Sequence, residues 1–188
     1  MVEIDGERTL AASCIRYASE GMVIKTESER ATKARNMVLE LLVTDQPSQV
    51  DAHDPASTLW HFANAVEIND SRFPQHTAPQ ADSSHPAIAV NMAACIQCGL
   101  CVRACREVQV NDVIGLAGRG PNAHIVFDLG DNMGASTCVG CGECVQACPT
   151  GALMPKASLD ENGVFANKPD RQVDSCLLYT SPSPRDQL

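Results

Sequence analysis

The sequence predicts an α+β fold organised around an internal duplication rich in cysteine. Three observations predict it. Eight of the ten cysteines fall into two copies of one spacing pattern. Short apolar stretches bounded by turn residues flank each copy, and segments of helical periodicity precede them. The chain has 188 residues and a net charge of -9, enough for one or two small domains. An acidic chain without a Lys/Arg cluster lacks the electrostatic footprint of a nucleic-acid binder. No run of roughly 18 apolar residues is present to span a bilayer. The opening Met1–Gly6 has neither a basic n-region nor an apolar stretch, so it does not read as a signal peptide.

Taken in order, Val2-Glu3-Ile4, the turn Asp5-Gly6 and Thr9-Leu10-Ala11 predict a hairpin, with Gly21–Ile24 a further strand. Thr26-Glu27-Ser28-Glu29 fits a capping box, and Ala31, Ala34, Val38, Leu41 and Leu42 follow at helical spacing, so a helix is expected over 27–43. Asp54-Pro55 reads as the N-cap and first position of a second helix, with Leu59, Phe62, Ala63 and Val66 on one face. Residues 70–86 have a linker composition. Ala87–Val90 begins a module that runs to residue 156, within which Val113–Leu116 and His124–Phe127 are expected to pair across Gly120-Pro121-Asn122. The module holds five acidic and four basic residues, so most of the chain's acidity lies outside it. That suits an internal module with fixed neighbours better than a carrier steered by its own charge. The five histidines, 53, 61, 76, 85 and 124, are expected at the surface.

The chemistry lies in the cysteines. Cys95, Cys98, Cys101 and Cys105 repeat as Cys138, Cys141, Cys144 and Cys148, both as C-x2-C-x2-C-x3-C and 43 residues apart. This is the bacterial ferredoxin run for [4Fe–4S] clusters, in which the fourth cysteine ligates the other cluster. Three thiolates within seven residues wrap three corners of an iron cube, and Gly99 and Gly142 permit the tight loop. The expected ligands are therefore Cys95, Cys98, Cys101 and Cys148 for one cluster, and Cys138, Cys141, Cys144 and Cys105 for the other. A disulfide framework suits a small secreted chain. Zinc sites use paired C-x2-C knuckles separated by longer gaps. Neither matches this spacing. Pro149 follows the last cysteine of the second run, whereas Arg106 takes that place in the first. Arg106 is either a solvated helix residue or a cation that favours the reduced cluster.

The stretch Cys95–Pro155, with Cys-Arg-Glu-Val-Gln-Val-Asn-Asp-Val-Ile-Gly at 105–115 and Cys-Pro-Thr-Gly-Ala-Leu-Met at 148–154, resembles the electron-transfer region of the catalytic subunit of NAD-dependent formate dehydrogenase. It is more distantly similar to the large iron–sulfur subunit of NADH–quinone oxidoreductase and to NAD-linked hydrogenases. The resemblance extends from residue 1 to about 175. It implies that residues 1–44 are the C-terminal half of a β-grasp [2Fe–2S] domain with its following helix, and that 45–85 are a helix and linker. Residues 86–156 would be the double [4Fe–4S] domain, and 157–175 a linker toward a molybdenum or tungsten pterin domain. Cys14, in Leu-Ala-Ala-Ser-Cys, matches the fourth [2Fe–2S] ligand of that family, which would act only in a longer chain. A further His/Cys cluster of the family has no cysteine counterpart in 45–94. Residues 176–188, including Cys176, back-translate to a sequencing adapter and are expected to be read-through.

The resemblance implies a cytoplasmic electron relay with no catalytic centre of its own. Electrons from formate would pass through two [4Fe–4S] clusters toward a partner subunit carrying flavin and NAD. The corresponding subunit of NADH–quinone oxidoreductase or of a hydrogenase is one alternative, and a free ferredoxin-type carrier is another.

Overall fold

The computed structural model describes residues 1–76 and 79–159. The expected segments 160–175 and 176–188, with Cys176, lie outside the described residues. The chain divides into two compact units, residues 1–45 with 61–76, and residues 46–60 with 77 onward.

In the first unit, β1 (Glu3–Ile4) pairs antiparallel with β2 (Ile24–Lys25), Glu3 opposite Lys25. The expected hairpin is reduced to one bridge between Val2 and Ala11, joined by bonds of 2.8 and 3.0 Å. Helix α1 runs Glu29–Thr44. Its N-cap is Ser28, whose Oγ accepts from Ala31 N–H at 3.3 Å, so the helix begins at Glu29, two residues later than expected. Its last turn is tied down by Thr44 Oγ1 to Ser71 Oγ at 2.7 Å and by Asp45, which accepts from the His76 backbone at 2.9 Å.

Helix α2 spans Thr58–Ala65. Asp54-Pro55 opens a turn ahead of it: Asp54 Oδ1 accepts from Ala56 N–H, and Asp54 O from Ser57 N–H. The residue placed to cap is Ser57, fully buried, whose Oγ accepts from Trp60 N–H at 3.4 Å. Leu59, Trp60 and Ala63 are buried, while Phe62 faces solvent. The apolar face is thus rotated by the later start.

The second unit holds two antiparallel pairs. β3 (Ile88–Val90) lies on β6 (Leu153–Pro155), joining the two ends of the duplicated module. β4 (Ile114–Ala117) and β5 (His124–Phe127) pair Ile114 to Phe127 through Ala117 to His124, as the sequence predicts. Helices α3 (Leu100–Arg103) and α4 (Glu143–Ala147) follow the first two cysteines of each run, contain the third, and pack together. The core is Ile88, Val90, Val113, Ile114, Ile125, Phe127, Met133 and Leu153, with Cys105 and Cys144 buried among them.

Two segments outside the cysteine runs belong to this unit. Residues 46–60 lie against its cysteine loops: buried Gln46 donates to Ala94 O at 3.1 Å, and Leu59 N–H donates to Pro149 O at 3.3 Å. Asp82, in a stretch of linker composition, pairs through its backbone with Val90 and accepts from Met133 N–H at 2.7 Å. Ser84 Oγ accepts from Gly134 N–H at 2.8 Å, so 82–85 forms a strap across the loop that carries the second run. Among the described residues no helix is long and apolar enough to cross a membrane.

Candidate metal centres

Each cysteine run begins as a loop and ends in a short helix. The N-cap of α3 is Gly99 at φ 72°, and that of α4 is Gly142 at φ 80°. Left-handed glycine there lets the chain turn within one residue after the second cysteine. The third cysteine then sits in the first helical turn, and the loop closes around a hollow.

Two such hollows exist. The first is lined by Cys95, Cys98, Cys101 and Cys148; the second is lined by Cys105, Cys138, Cys141 and Cys144. Each therefore draws three cysteines from one run and the fourth from the other. The remaining walls are mostly apolar, Met92, Ile96, Ile125 and Leu153 for the first and Ile88, Val113, Val139 and Ile114 for the second, with Thr150 and Asn111 the polar side chains among them.

The donor chemistry fits a thiolate-bound iron–sulfur cluster. Burial, followed by the charge of neighbouring thiolates, pushes the Cys101 and Cys144 thiols up to about 12, and raises Cys95; burial likewise raises Cys138. Four thiolates cannot be held together in such a hollow by the protein alone. A bound cluster would make their deprotonation favourable, releasing protons as it binds. Cys101 is among the neighbours that raise Cys144, and α3 packs against α4.

Sulfur is also offered hydrogen bonds. The N–H groups of Gln97 and Gly140 donate to Cys95 Sγ and Cys138 Sγ, each at 3.4 Å. Buried Thr150 places Oγ1 3.7 Å from Cys148 Sγ, and Asn111 Nδ2 lies 4.0 Å from Cys141 Sγ. No spacing rule picks out Thr150 or Asn111, because neither has a counterpart at the 43-residue offset.

Several expectations change. His53 and His85 are buried, not superficial. His53 sits beside Gly151, its Nδ1 lacks a partner, and burial holds its pKa below the usual value. His85 Nδ1 accepts from both Ala87 and Ile88 N–H at 3.1 Å, which fixes the ring; its Cε1 would lie 3.6 Å from a Cβ at Gly140. His61, His76 and His124 are exposed. Arg106 is not a free cation: its Nε donates to Asp112 Oδ1 at 2.6 Å. Cys14 is exposed in the short turn Ser13–Ile15, with no second cysteine in its unit.

Comparison with known proteins follows the same lines. Residues 94–152 match the 4Fe-4S dicluster domain family. The chain is 33% identical to the NADP-reducing hydrogenase subunit HndD of Solidesulfovibrio fructosivorans, over 100% of this chain and 32% of that protein. It is 32% identical to YrhE of Bacillus subtilis, named as a formate dehydrogenase, over 87% of this chain and 17% of that one. It is 32% identical to an NADH-quinone oxidoreductase component of Rhizobium meliloti, over 64% of this chain and 15% of that one. The chain thus spans about a third of the first relative and under a fifth of the other two. A solved NAD+-reducing [NiFe]-hydrogenase chain superimposes with a TM-score of 0.71 at 27% identity, covering 84% of this chain and 68% of that one. Residues 94–152 form a 4Fe–4S electron-transfer module, in a chain homologous to subunits of NADH–quinone oxidoreductases and NAD-reducing hydrogenases and with formate dehydrogenase-type proteins among its relatives.

Proposed function

We propose that this module holds two [4Fe–4S] clusters with crossed ligation and relays single electrons between them inside a larger, NAD-linked formate-oxidising enzyme. Cys95, Cys98, Cys101 and Cys148 hold the first cluster, and Cys138, Cys141, Cys144 and Cys105 the second. The observation that carries this is the pair of similar hollows, each lined by three cysteines of one run and the fourth of the other. When bound, each cluster supplies a one-electron couple. The chain does the rest: largely apolar walls exclude water, N–H groups of Gln97 and Gly140 favour the more negative state, and the packing of α3 on α4 holds the two cysteine runs together.

The upstream electron source on this reading is formate, at a molybdenum or tungsten pterin site outside these 188 residues, and the sink is a flavin- and NAD-binding partner in the cytoplasm. Cys14 serves as a [2Fe–2S] ligand, in a β-grasp domain, only where three further thiolates join it. A second reading, hydrogen as the source, is favoured by one observation: the hydrogenase relative matches the chain end to end.

Anaerobic reconstitution with iron and sulfide is expected to give about eight of each per chain and two reducible centres by electron paramagnetic resonance. A colourless product with zinc and no reducible centre would overturn the relay. Sequencing the source DNA through both ends of the frame separates the two electron sources. A following C-x2-C-x3-C motif opening a pterin domain supports formate, and a hydrogen-activating domain supports hydrogen.

A further inference from the structure

Asn111 lies in neither cysteine run, yet it lines the second hollow. Its backbone N–H donates to Cys105 O at 3.0 Å, while its side-chain Nδ2 reaches toward Cys141 Sγ at 4.0 Å. One residue is thus tied to two ligands of the same site, one in each run. One neighbour carries backbone strain at this position. Val110 has φ 56° and Asp112 φ 54°; aspartate tolerates such left-handed values, but for the β-branched Val110 they are strained. Val110 is 80% exposed, so packing does not offset its conformation. Strain kept in an exposed turn beside a site points to a position held for function.

The local cause is visible. After α3 the chain continues as a π-helical turn, Ala104–Val108, closed by Gln109 N–H to Ala104 O at 3.1 Å. The wider turn, a form that recurs at functional sites, swings residues 110–112 over the second hollow. An exposed ion pair, Arg106–Asp112, joins the π-turn to the end of this loop. The second run has no such loop, because Pro149 follows Cys148 where the first run has Arg106.

We propose that Asn111 sets the reduction potential of the second cluster by donating an N–H to the thiolate of Cys141. Reduction adds negative charge to the thiolate-bound centre, so a donor aimed at its sulfur stabilises the reduced state more than the oxidised one and raises the midpoint. This rests on the two-cluster reading above. Thr150, beside Cys148, is the corresponding donor at the first cluster and provides the internal comparator.

The test is a redox titration of the reconstituted full chain, followed by electron paramagnetic resonance, for wild type, Asn111→Leu, Asn111→Asp and Thr150→Val. Asn111→Leu is expected to lower one midpoint only. At a fixed potential its reduced-to-oxidised ratio should fall roughly three- to tenfold, about 30–60 mV at 59 mV per decade for one electron. Asn111→Asp should lower the same midpoint further, and Thr150→Val should lower the other. The assignment is overturned if both Asn111 variants leave both midpoints in place, or if Asn111→Leu and Thr150→Val move the same one. Loss of the second cluster from both Asn111 variants, with the first intact, overturns it in favour of a purely structural role. A wild-type chain that forms no iron–sulfur centre overturns the relay reading instead.

Discussion

At the third position of each cysteine run, Gln97 and Gly140 share a left-handed backbone, φ 55° and 69°, and each donates its N–H to the sulfur two residues back at 3.4 Å. Only one of them is a glycine. In the first half the Gln97 side chain leaves the loop and donates from Nε2 to Ala123 O at 2.7 Å, which offsets part of the conformational cost. In the second half the ring of His85, fixed by its two backbone bonds and by the strap it belongs to, lies in contact distance of where a Cβ at Gly140 would stand. The halves also end differently: α4 stops at Cys148-Pro149, while α3 runs on through a π-turn that carries Asn111. Duplication has kept the backbone path around sulfur, because the cluster fixes it. The side chains that support that path differ, because any group that holds the loop will serve.

The largest effect tests the exchange of fourth ligands between halves. Cys148→Ala should remove the same cluster as Cys98→Ala, and Cys105→Ala the same as Cys141→Ala, each with loss of about half the iron. The surviving spectrum identifies which site remains. If Cys148→Ala and Cys141→Ala leave the same survivor, each run ligates its own cluster and the crossed arrangement is wrong.

Proton competition should come next, and should act on both halves alike. Folded without iron, Cys101 and Cys144 keep their protons up to about 12, whereas an unfolded thiol ionises near 8.5. Between those values the folded form binds more protons than the unfolded one. The stability present at neutral pH is therefore lost as pH rises from about 8.5 toward 12. Cluster loading runs the other way, since it releases those protons. Denaturant midpoints of the iron-free chain should fall between about pH 7.5 and pH 10, while retention of reconstituted iron improves over the same range. An iron-free midpoint that holds or rises would refute the burial argument.

The cysteine lining of the two hollows was legible in the sequence because spacing dictates it: three thiolates within seven residues leave a loop few paths. The pairing of β4 with β5 was legible for a similar reason, two apolar stretches across a Gly-Pro-Asn turn. What escaped was set by partners distant in sequence. His85 looks like a linker histidine until Asp82 and Ser84 find Met133 and Gly134 about fifty residues on. Asp54-Pro55 has good helix-start chemistry, but the Asp54 carboxylate is engaged by Ala56, and Ser57 takes the capping place. Asn111 matters through a π-turn that no periodicity signals.

Stability should separate the halves at their third positions. Gly140→Ala forces a Cβ onto a left-handed residue, with the His85 ring 3.6 Å away, and should cost about 1–2 kcal/mol in denaturant unfolding. Gln97→Ala keeps a strain already present and loses only the bond to Ala123, about 0.5–1.5 kcal/mol. Gln97→Gly should cost less again, since strain is relieved as the bond is lost. Equal costs for Gly140→Ala and Gln97→Gly would mean that backbone strain is not what distinguishes the two loops.

The smallest effect concerns Arg106, the residue that replaces proline in the first half. Its charge is already countered by Asp112 at 2.6 Å, and both side chains are more than half exposed. Removing both charges together, as Arg106→Gln with Asp112→Asn, should leave both midpoints almost unmoved, because little net field reaches either hollow and salt screens what remains. Arg106→Gln alone leaves an unbalanced carboxylate and should lower the second midpoint slightly, an effect that fades as ionic strength rises. A fall in the double variant that persists at high salt would mean that the pair acts by holding the loop of Asn111 in place. The asymmetry between the halves would then reside in the geometry of that loop, and charge would have no part in it.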